Sequence, residues 1–196
     1  RWQDVVKWMG KVRDSYSDSE LRLPAQYWLA EAHYRLRAYP TAEALLADLG
    51  HQVQGRSDAW IAMIPLRRAQ VAAHQGNWSE AYQIAQDVAE DYPDFHRQYE
   101  VDYLLGRCLA RRAEFEAARE AYQAVVQSPT GGKTETAAMA QWMIGETFFL
   151  QKKFDEAIRA YYRVEGLYDY PRWQAAALLQ AGKCQEMKGN WQEAIQ

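Results

Sequence analysis

The 196-residue sequence has only two cysteines, no long apolar run and no excess of positive charge. Cys108 and Cys184 cannot form a disulfide framework, and no second ligand stands at metal-binding spacing from either. The net charge of −3 argues against a protein that wraps phosphate backbones, so we predict no nucleic-acid binding. Because no apolar run reaches the length of a bilayer span, we also predict no direct membrane insertion.

A recognisable active site is also lacking. The histidines stand apart from one another, at His33, His51, His74 and His96. Residues 130–134, Thr-Gly-Gly-Lys-Thr, share their last three residues with a phosphate-binding loop, but Gln127 stands where the first glycine is needed and a helix precedes. We therefore predict no enzyme, no cofactor and no metal site.

What the sequence does contain is a short segment that returns five times. Residues 76–81, Gly-Asn-Trp-Ser-Glu-Ala, come back as residues 189–194, Gly-Asn-Trp-Gln-Glu-Ala. The glycine ends one helix, while the asparagine and the glutamate three residues later predict a capping box for the next. Weaker copies begin at Tyr39, Phe115 and Phe154, each with an alanine three residues later. The segment predicts a turn between paired helices.

A column of small residues keeps the register of these pairs. Its members are Ala30, Ala69, Gly106, Gly145 and Gly182, at spacings of 39, 37, 39 and 37 residues. Val12, Val88 and Val164, near helix ends, follow the same 76-residue double period. Apolar residues between these positions recur at spacings of three and four, which predicts helices. Such register is typical of an array of helical hairpins.

Proline, glycine and polar residues predict where the helices begin and end. Pro65 lies inside an apolar helical pattern and predicts a kink or a late start of that helix. Asp94 and Thr134 are predicted to cap the helices that follow them. Gly50 and Gly55 are predicted to open a loop.

These signals predict a single solenoid fragment over residues 1–196. Residues 1–16 are interpreted as an orphan second helix, and the missing initiator methionine indicates an excised piece. Five repeats follow, the last of them truncated. Their approximate bounds are 21–54, 57–92, 94–128, 134–168 and 171–196.

The order of small residue, turn, aromatic residue, Glu-Ala and Tyr-Pro resembles the tetratricopeptide repeat. The residues that carry the resemblance are Gly182, Gly189, Trp191, Glu193 and Ala194, and also Gly145, Phe148, Phe154, Ala157 and Tyr161. The repeats are longer than the ~34 residues of the family, and the first two have alanine in the small-residue column. The resemblance implies an all-α fold, a right-handed superhelical solenoid of antiparallel helix pairs.

Two Asp-Tyr-Pro endings, at residues 91–93 and 169–171, point to a narrower group. They resemble endings in tetratricopeptide domains of bacterial envelope proteins, such as the TolA-binding protein and outer-membrane assembly lipoproteins. This resemblance implies a periplasmic or envelope location, with the cytoplasm as the alternative.

The resemblance also implies that the first helices of the pairs line a concave wall that binds a peptide or partner segment. Trp142 and Phe149 are candidate anchors, although neighbouring helices could instead cover them. The clamp that some members use for a C-terminal carboxylate is not matched. The predicted groove residues are Tyr27, Glu31, Tyr34, Leu66, Gln70, Tyr103, Arg107, Arg111, Trp142, Glu146, Phe149, Leu179, Lys183 and Glu186.

Two functions fit these features. The first is a non-enzymatic scaffold that binds a protein or peptide, and the alternative is a structural spacer or self-associating segment of a longer solenoid. Leu178, Ala181 and Met187 are expected to lack a covering helix, which predicts weak self-association through the C-terminal end or poor order beyond about Trp191. The two cysteines are expected to be buried free thiols.

Overall fold

The structure, a computed structural model, describes residues 1–194, and over this range the chain forms helices and turns without a strand. The helices are α1 (Trp2–Ser15), α2 (Arg22–Arg35), α3 (Tyr39–Gln52), α4 (Met63–His74), α5 (Trp78–Asp91), α6 (Gln98–Arg111), α7 (Phe115–Gln127), α8 (Glu135–Leu150), α9 (Phe154–Leu167), α10 (Pro171–Lys188) and α11 (Trp191–Ala194). The predicted all-α solenoid class of antiparallel helix pairs is confirmed. Ile195 and Gln196, the end of the predicted last repeat, lie outside the described residues.

The chain divides into two compact units, Arg1–Phe95 and His96–Gln196. In the first unit, α1 packs against α2, α2 against α3, α3 against α4 and α4 against α5, and α2 also contacts α4. In the second unit, α6 to α11 pack in the same way, and α8 also contacts both α6 and α10. We call α2, α4, α6, α8 and α10 the first helices of their pairs, because they contact one another within each unit.

All five hairpin turns share one backbone conformation. One residue in each adopts a left-handed φ between 58° and 87°, namely Arg37, Gly76, Ala113, Lys152 and Gly189. The next residue donates its amide to the carbonyl five residues earlier, at 2.9 to 3.0 Å. This arrangement satisfies carbonyls at the end of the first helix. In the first four turns the donating residue is also the N-cap of the second helix.

The predicted capping box is wrong. Asn77 is the N-cap of α5, but its side chain makes no capping hydrogen bond, and its Nδ2 lies 3.5 Å from Glu80 Oε2 instead. The side-chain Nδ2 of Asn190 likewise donates to another side chain, Gln185 Oε1, at 3.0 Å. Backbone hydrogen bonds therefore define the turn, which explains why alanine, glutamate and lysine occupy the same position in other copies.

The small-residue column sets how closely the paired helices approach. A Cβ atom on Gly106 would lie 2.6 Å from Tyr122 Cε1, and one on Gly145 would lie closer still to the ring of Tyr161. Both tyrosines are fully buried. In the first two repeats the column holds alanine, and the position sixteen residues later holds leucine or alanine in place of tyrosine. Glycine accompanies tyrosine because the ring occupies the space of the missing Cβ.

Other buried columns follow the predicted register. The alanines three residues into each second helix are fully buried at Ala42, Ala81, Ala118 and Ala157. Two residues after the small column, fully buried side chains also recur, at Ala32, Val71, Cys108, Thr147 and Cys184. Both cysteines are buried free thiols, and burial raises the pKa of each to about 11. They are packing residues.

Pro65 illustrates one of the two outcomes predicted for it. The helix starts late, at Met63, so the proline lies in the first turn of α4. Its missing N–H costs little there, because the first amides of a helix have no intrahelical acceptor. A late start is therefore confirmed, and the residues before it form turns.

Two other boundary predictions are wrong. Asp94 does not cap α6, which begins at Gln98 with Arg97 as its N-cap. Gly50 lies inside α3, which continues to Gln52 before the chain turns. A glycine is tolerated inside a packed helix at a modest cost, so it does not by itself end one.

The turn conformation predicts opposite effects for two substitutions at equivalent positions. Gly76→Ala should lower the free energy of unfolding by about 1 kcal/mol, because a left-handed φ costs a residue with a Cβ atom roughly 1–2 kcal/mol. Ala113→Gly should instead raise it, by up to about 1 kcal/mol. Urea unfolding followed by circular dichroism measures both. Effects of the same sign would contradict the assigned conformation.

The pairing of glycine with tyrosine predicts energetic coupling. Gly106→Ala should cost about 1–3 kcal/mol of unfolding free energy through overpacking against Tyr122. In a Tyr122→Leu background, which reproduces the alanine and leucine pair of the first repeat, the same substitution should cost clearly less. A double-mutant cycle measures the difference. An equal cost in both backgrounds would show that the ring does not set the helix separation.

Candidate interaction surface

In the first unit, three of the predicted groove residues are not on a surface. Tyr27, Glu31 and Leu66 are buried, so they cannot contact a peptide as the sequence suggested. The ring of Trp60 packs on Tyr27, with centroids 6.2 Å apart. Trp60 belongs to the long connection between α3 and α4, which reaches further over the first helices than the repeat pattern indicated.

A buried ion pair fixes Glu31 in place. Its Oε2 lies 2.6 Å from Arg67 Nε and its Oε1 lies 2.7 Å from Arg35 Nε. The side chains of Glu31 and Arg67 are only 4% and 6% exposed. Since buried charges need partners, this carboxylate is committed to joining α2 to α4.

The other two predicted residues of this unit belong to the same polar cluster. The Arg67 guanidinium lies 4.2 Å from the ring centre of Tyr34 and hydrogen-bonds to Gln70. The Tyr34 hydroxyl lies 3.0 Å from His74 Nε2. Burial raises the pKa of Tyr34. Intramolecular contacts thus engage the predicted site residues of the first unit.

The second unit presents its predicted residues differently. Nine of them lie on three first helices that contact one another in sequence, and together we call them the α6–α8–α10 face. Five are half-buried and four are exposed. The half-buried members are Tyr103, Arg107, Trp142, Glu146 and Phe149, and the exposed ones are Arg111, Leu179, Lys183 and Glu186.

The aromatic members of this face are partly covered by neighbouring rings. Each contacts one ring: Tyr103 with Tyr122 at 5.9 Å between centroids, Trp142 with Trp173 at 5.8 Å, and Phe149 with Phe154 at 5.8 Å. Neighbouring side chains therefore cover these three rings only in part. Coverage was the alternative that the sequence left open. The most exposed apolar member is Leu179, at 62%.

The middle of the face carries Arg107, Glu146 and Lys183 at equivalent positions of α6, α8 and α10. Glu146 Oε1 accepts hydrogen bonds from the Tyr161 hydroxyl at 2.5 Å and from Gln180 Nε2 at 2.9 Å. Burial and the bond to Glu146 both raise the pKa of Tyr161. The carboxylate of Glu146 is thus occupied within the chain, whereas Lys183 is exposed and makes no ion pair with any residue that the structure describes.

The sequence reasoning missed the polar partners of predicted residues in both units. Gln180 and Arg67 hold equivalent positions, two residues before the small column, and each contacts the glutamate one residue after the column in the preceding repeat. Trp173 was also missed, and its indole N–H donates to Glu135 Oε1 at 2.9 Å. An alignment of the repeats that included their polar residues could have identified Arg67 and Gln180 as partners of the two glutamates.

The last helix pair differs partly from expectation. Leu178 and Met187 are exposed, as predicted, the latter at 63%. Ala181 is instead 2% exposed, because it packs in the cluster that contains Ala157 and Tyr161 of α9. The apolar surface at this end is therefore narrower than the sequence suggested.

Metal and membrane chemistry find no support over residues 1–194. Within that range no three His, Cys, Asp or Glu side chains come together as a possible metal site. None of the helices described there is both long and apolar enough to cross a bilayer. The glycine-rich residues 130–134 form the turn before α8, where a Cβ on Gly131 would collide with the ring of Tyr99. That glycine serves packing.

Sequence comparison matches most of the chain to one repeat. Residues 66–133 and 103–170 match the tetratricopeptide repeat, and residues 176–196 match a second form of it. The matches begin at Leu66 and Tyr103, three residues before the small column, which agrees with the register above. No curated protein sequence matches the chain.

Several solved structures share the fold. BtubC (BKLC) from P. vanneervenii aligns with a TM-score of 0.76 at 16% identity, over 99% of this chain and 84% of its own. MamA, from residue 41 to its end, from Desulfovibrio magneticus RS-1 aligns at 0.70 and 15%, over 88% and 89%. The apo form of RapI aligns at 0.78 and 12%, over 89% and 67%. At such identities the likeness shows the fold alone.

The buried ion pair of the first unit predicts a large and specific loss of stability. Glu31→Ala should lower the free energy of unfolding by about 3–5 kcal/mol, because the Arg67 charge stays buried without its partner. The matched control is Glu43→Ala, which breaks the more exposed pair with Arg68 and should cost at most about 1 kcal/mol. Urea unfolding distinguishes the two. Similar losses for both variants would show that Glu31 is not held in a buried ion pair.

Proposed function

Because the chain belongs to the tetratricopeptide repeat family, we propose that it is a non-enzymatic scaffold that binds a partner segment on the α6–α8–α10 face. The family is one of protein–protein interaction scaffolds and is generally non-enzymatic. The observation that carries the choice of face is the difference between the two units. Three of the five predicted residues of the first unit are buried, whereas all nine of the second unit are half-buried or exposed.

The charge of this face favours an acidic segment. The face carries two negative side chains, Glu146 and Glu186, and Glu146 Oε1 already accepts hydrogen bonds from Tyr161 and Gln180. Arg107 and Lys183 balance these two charges. Arg111 adds a third positive charge one turn beyond Arg107. Opposite charges on a partner would be attracted and oriented, because complementary charge gives specificity and fast association.

The spacing of the helices suggests the length of the segment. Packed helices lie about 8–10 Å apart, so positions on α6 and α10 are separated by roughly 16–20 Å. An extended chain covers about 3.3 Å per residue, so two acidic residues five apart would span this distance. An apolar side chain between them would reach Leu179 or Trp142.

The alternative function is a spacer or self-associating segment of a longer solenoid. Exposed Leu178 and Met187 at the last helix pair favour it, because large apolar side chains gain free energy when they are covered. We propose that weak self-association through this end can coexist with partner binding. A bacterial envelope location remains our hypothesis, supported by the Asp-Tyr-Pro endings, with the cytoplasm as its alternative.

The proposal predicts binding of the blocked peptide acetyl-Glu-Ala-Leu-Ala-Ala-Glu-amide. Calorimetry should show saturable binding that is weakened about tenfold or more by Leu179→Ala, because a buried leucine contributes about 1.5–3 kcal/mol. Lys183→Gln should weaken it less, and more strongly at low salt. Both residues are exposed, so neither change should affect stability.

The matched control is Arg163→Gln, which removes an exposed positive charge on the second helix α9. It should leave the affinity unchanged. Equal weakening by Arg163→Gln, or equal binding of the peptide with both glutamates changed to glutamine, would contradict a specific acidic site. Sedimentation that depends on protein concentration, in a chain that binds no peptide, would favour the spacer function instead.

A further inference from the structure

The first unit contains a pocket between the end of α3 and the start of α4. Residues 53–62 form the longest connection between described helices, and they join the end of α3 to the start of α4. This open recess has a volume of about 340 Å³. Gly50 and Gly55 line it, and a Cβ atom built on either one meets nothing within 4 Å. The pocket thus exists partly because two side chains are missing.

The pocket has an apolar floor. Val53, Ile61 and Ile64 line it and are themselves buried, so the floor is held rigidly by the core of the unit. Tyr92 and Pro65 add a ring and an apolar wall. A ligand would therefore gain free energy by placing hydrocarbon against these side chains.

The rim of the pocket is basic. His51, Arg56 and Arg68 line it, and no aspartate or glutamate does. Arg56 Nε lies 2.9 Å from Asp58 Oδ2, and Arg68 lies 2.8 Å from Glu43 Oε1. These pairs are half-exposed, and a guanidinium has five N–H donors, so each arginine can bind a second anion.

From this combination we infer that the pocket binds an apolar ligand carrying one anionic head. The hydrocarbon part lies on Val53, Ile61 and Ile64, and the anion is bound by Arg56 and Arg68. The volume is at the lower end of the roughly 300–1,000 Å³ of small-molecule sites, which excludes a large cofactor. The site lies in a different unit from the α6–α8–α10 face, so it does not depend on the function proposed above.

Two sources supply this chemistry. A free medium-chain carboxylate has it, and so does an acidic residue beside a leucine in a partner protein. Octanoate is the probe for the first and the blocked peptide acetyl-Leu-Glu-amide for the second. Binding of octanoate alone assigns a small molecule, and tighter binding of the peptide assigns a protein partner.

The decisive experiment measures octanoate binding by protein-observed NMR. We expect shifts confined to residues around the pocket, with octanamide, which lacks the charge, binding at least tenfold more weakly. The double variant Arg56→Gln/Arg68→Gln should weaken octanoate at least tenfold, whereas Arg163→Gln should not change it. Gly50→Leu should abolish binding, because its side chain grows into open space at the pocket wall and leucine favours the helix.

Three results would overturn the inference. One is the absence of saturable binding by both probes. Another is equal affinity for octanoate and octanamide, which would show that the negative charge of the ligand contributes nothing to binding. The third is unchanged binding in Gly50→Leu when its circular dichroism spectrum shows a folded protein, because the ligand would then lie elsewhere.

Discussion

The pairing of the helices follows from one constraint, a hairpin turn of only two or three residues. One residue with a left-handed φ ends the first helix, and the next both closes the last carbonyls and caps the second helix. Since so short a turn leaves no slack, the second helix must return directly along the first. The distance between them is then set by the small column, where glycine admits a tyrosine ring and alanine admits a smaller side chain. The backbone geometry of the turn and the residue in the small column together determine how each helix pair packs.

Because the turns and the buried columns fix the helix pairs, the two units differ mainly at their remaining positions. One residue after the small column, Glu31 forms a buried ion pair with Arg67 in the first unit, whereas in the second unit Arg107 is half-buried and Lys183 is exposed. This position therefore forms an internal ion pair in the first unit, and we propose that Lys183 at the same position of α10 contacts a partner. Connections between repeats are the second source of variety, since the long one after α3 lines a pocket.

The fold could be predicted almost completely, because its determinants are local and periodic. The turn copies, the small column and the late start before Pro65 all follow from spacing and backbone chemistry. The surface could not be predicted as well. Burial of Tyr27 depends on Trp60, in a connection that breaks the repeat pattern, and burial of Glu31 depends on an arginine 36 residues away. The capping box failed for a related reason, since backbone bonds had already defined the turn.

Partner binding to the first helices of the second unit is our proposal for this protein. Amide chemical-shift mapping tests it most directly, with an acidic peptide titrated into the isotope-labelled protein. We expect the shifted amides to cluster on α6, α8 and α10, around Arg107, Trp142 and Lys183, and those of α7 and α9 to change little. Shifts concentrated on α7 and α9, or on α2 and α4 of the first unit, would contradict it.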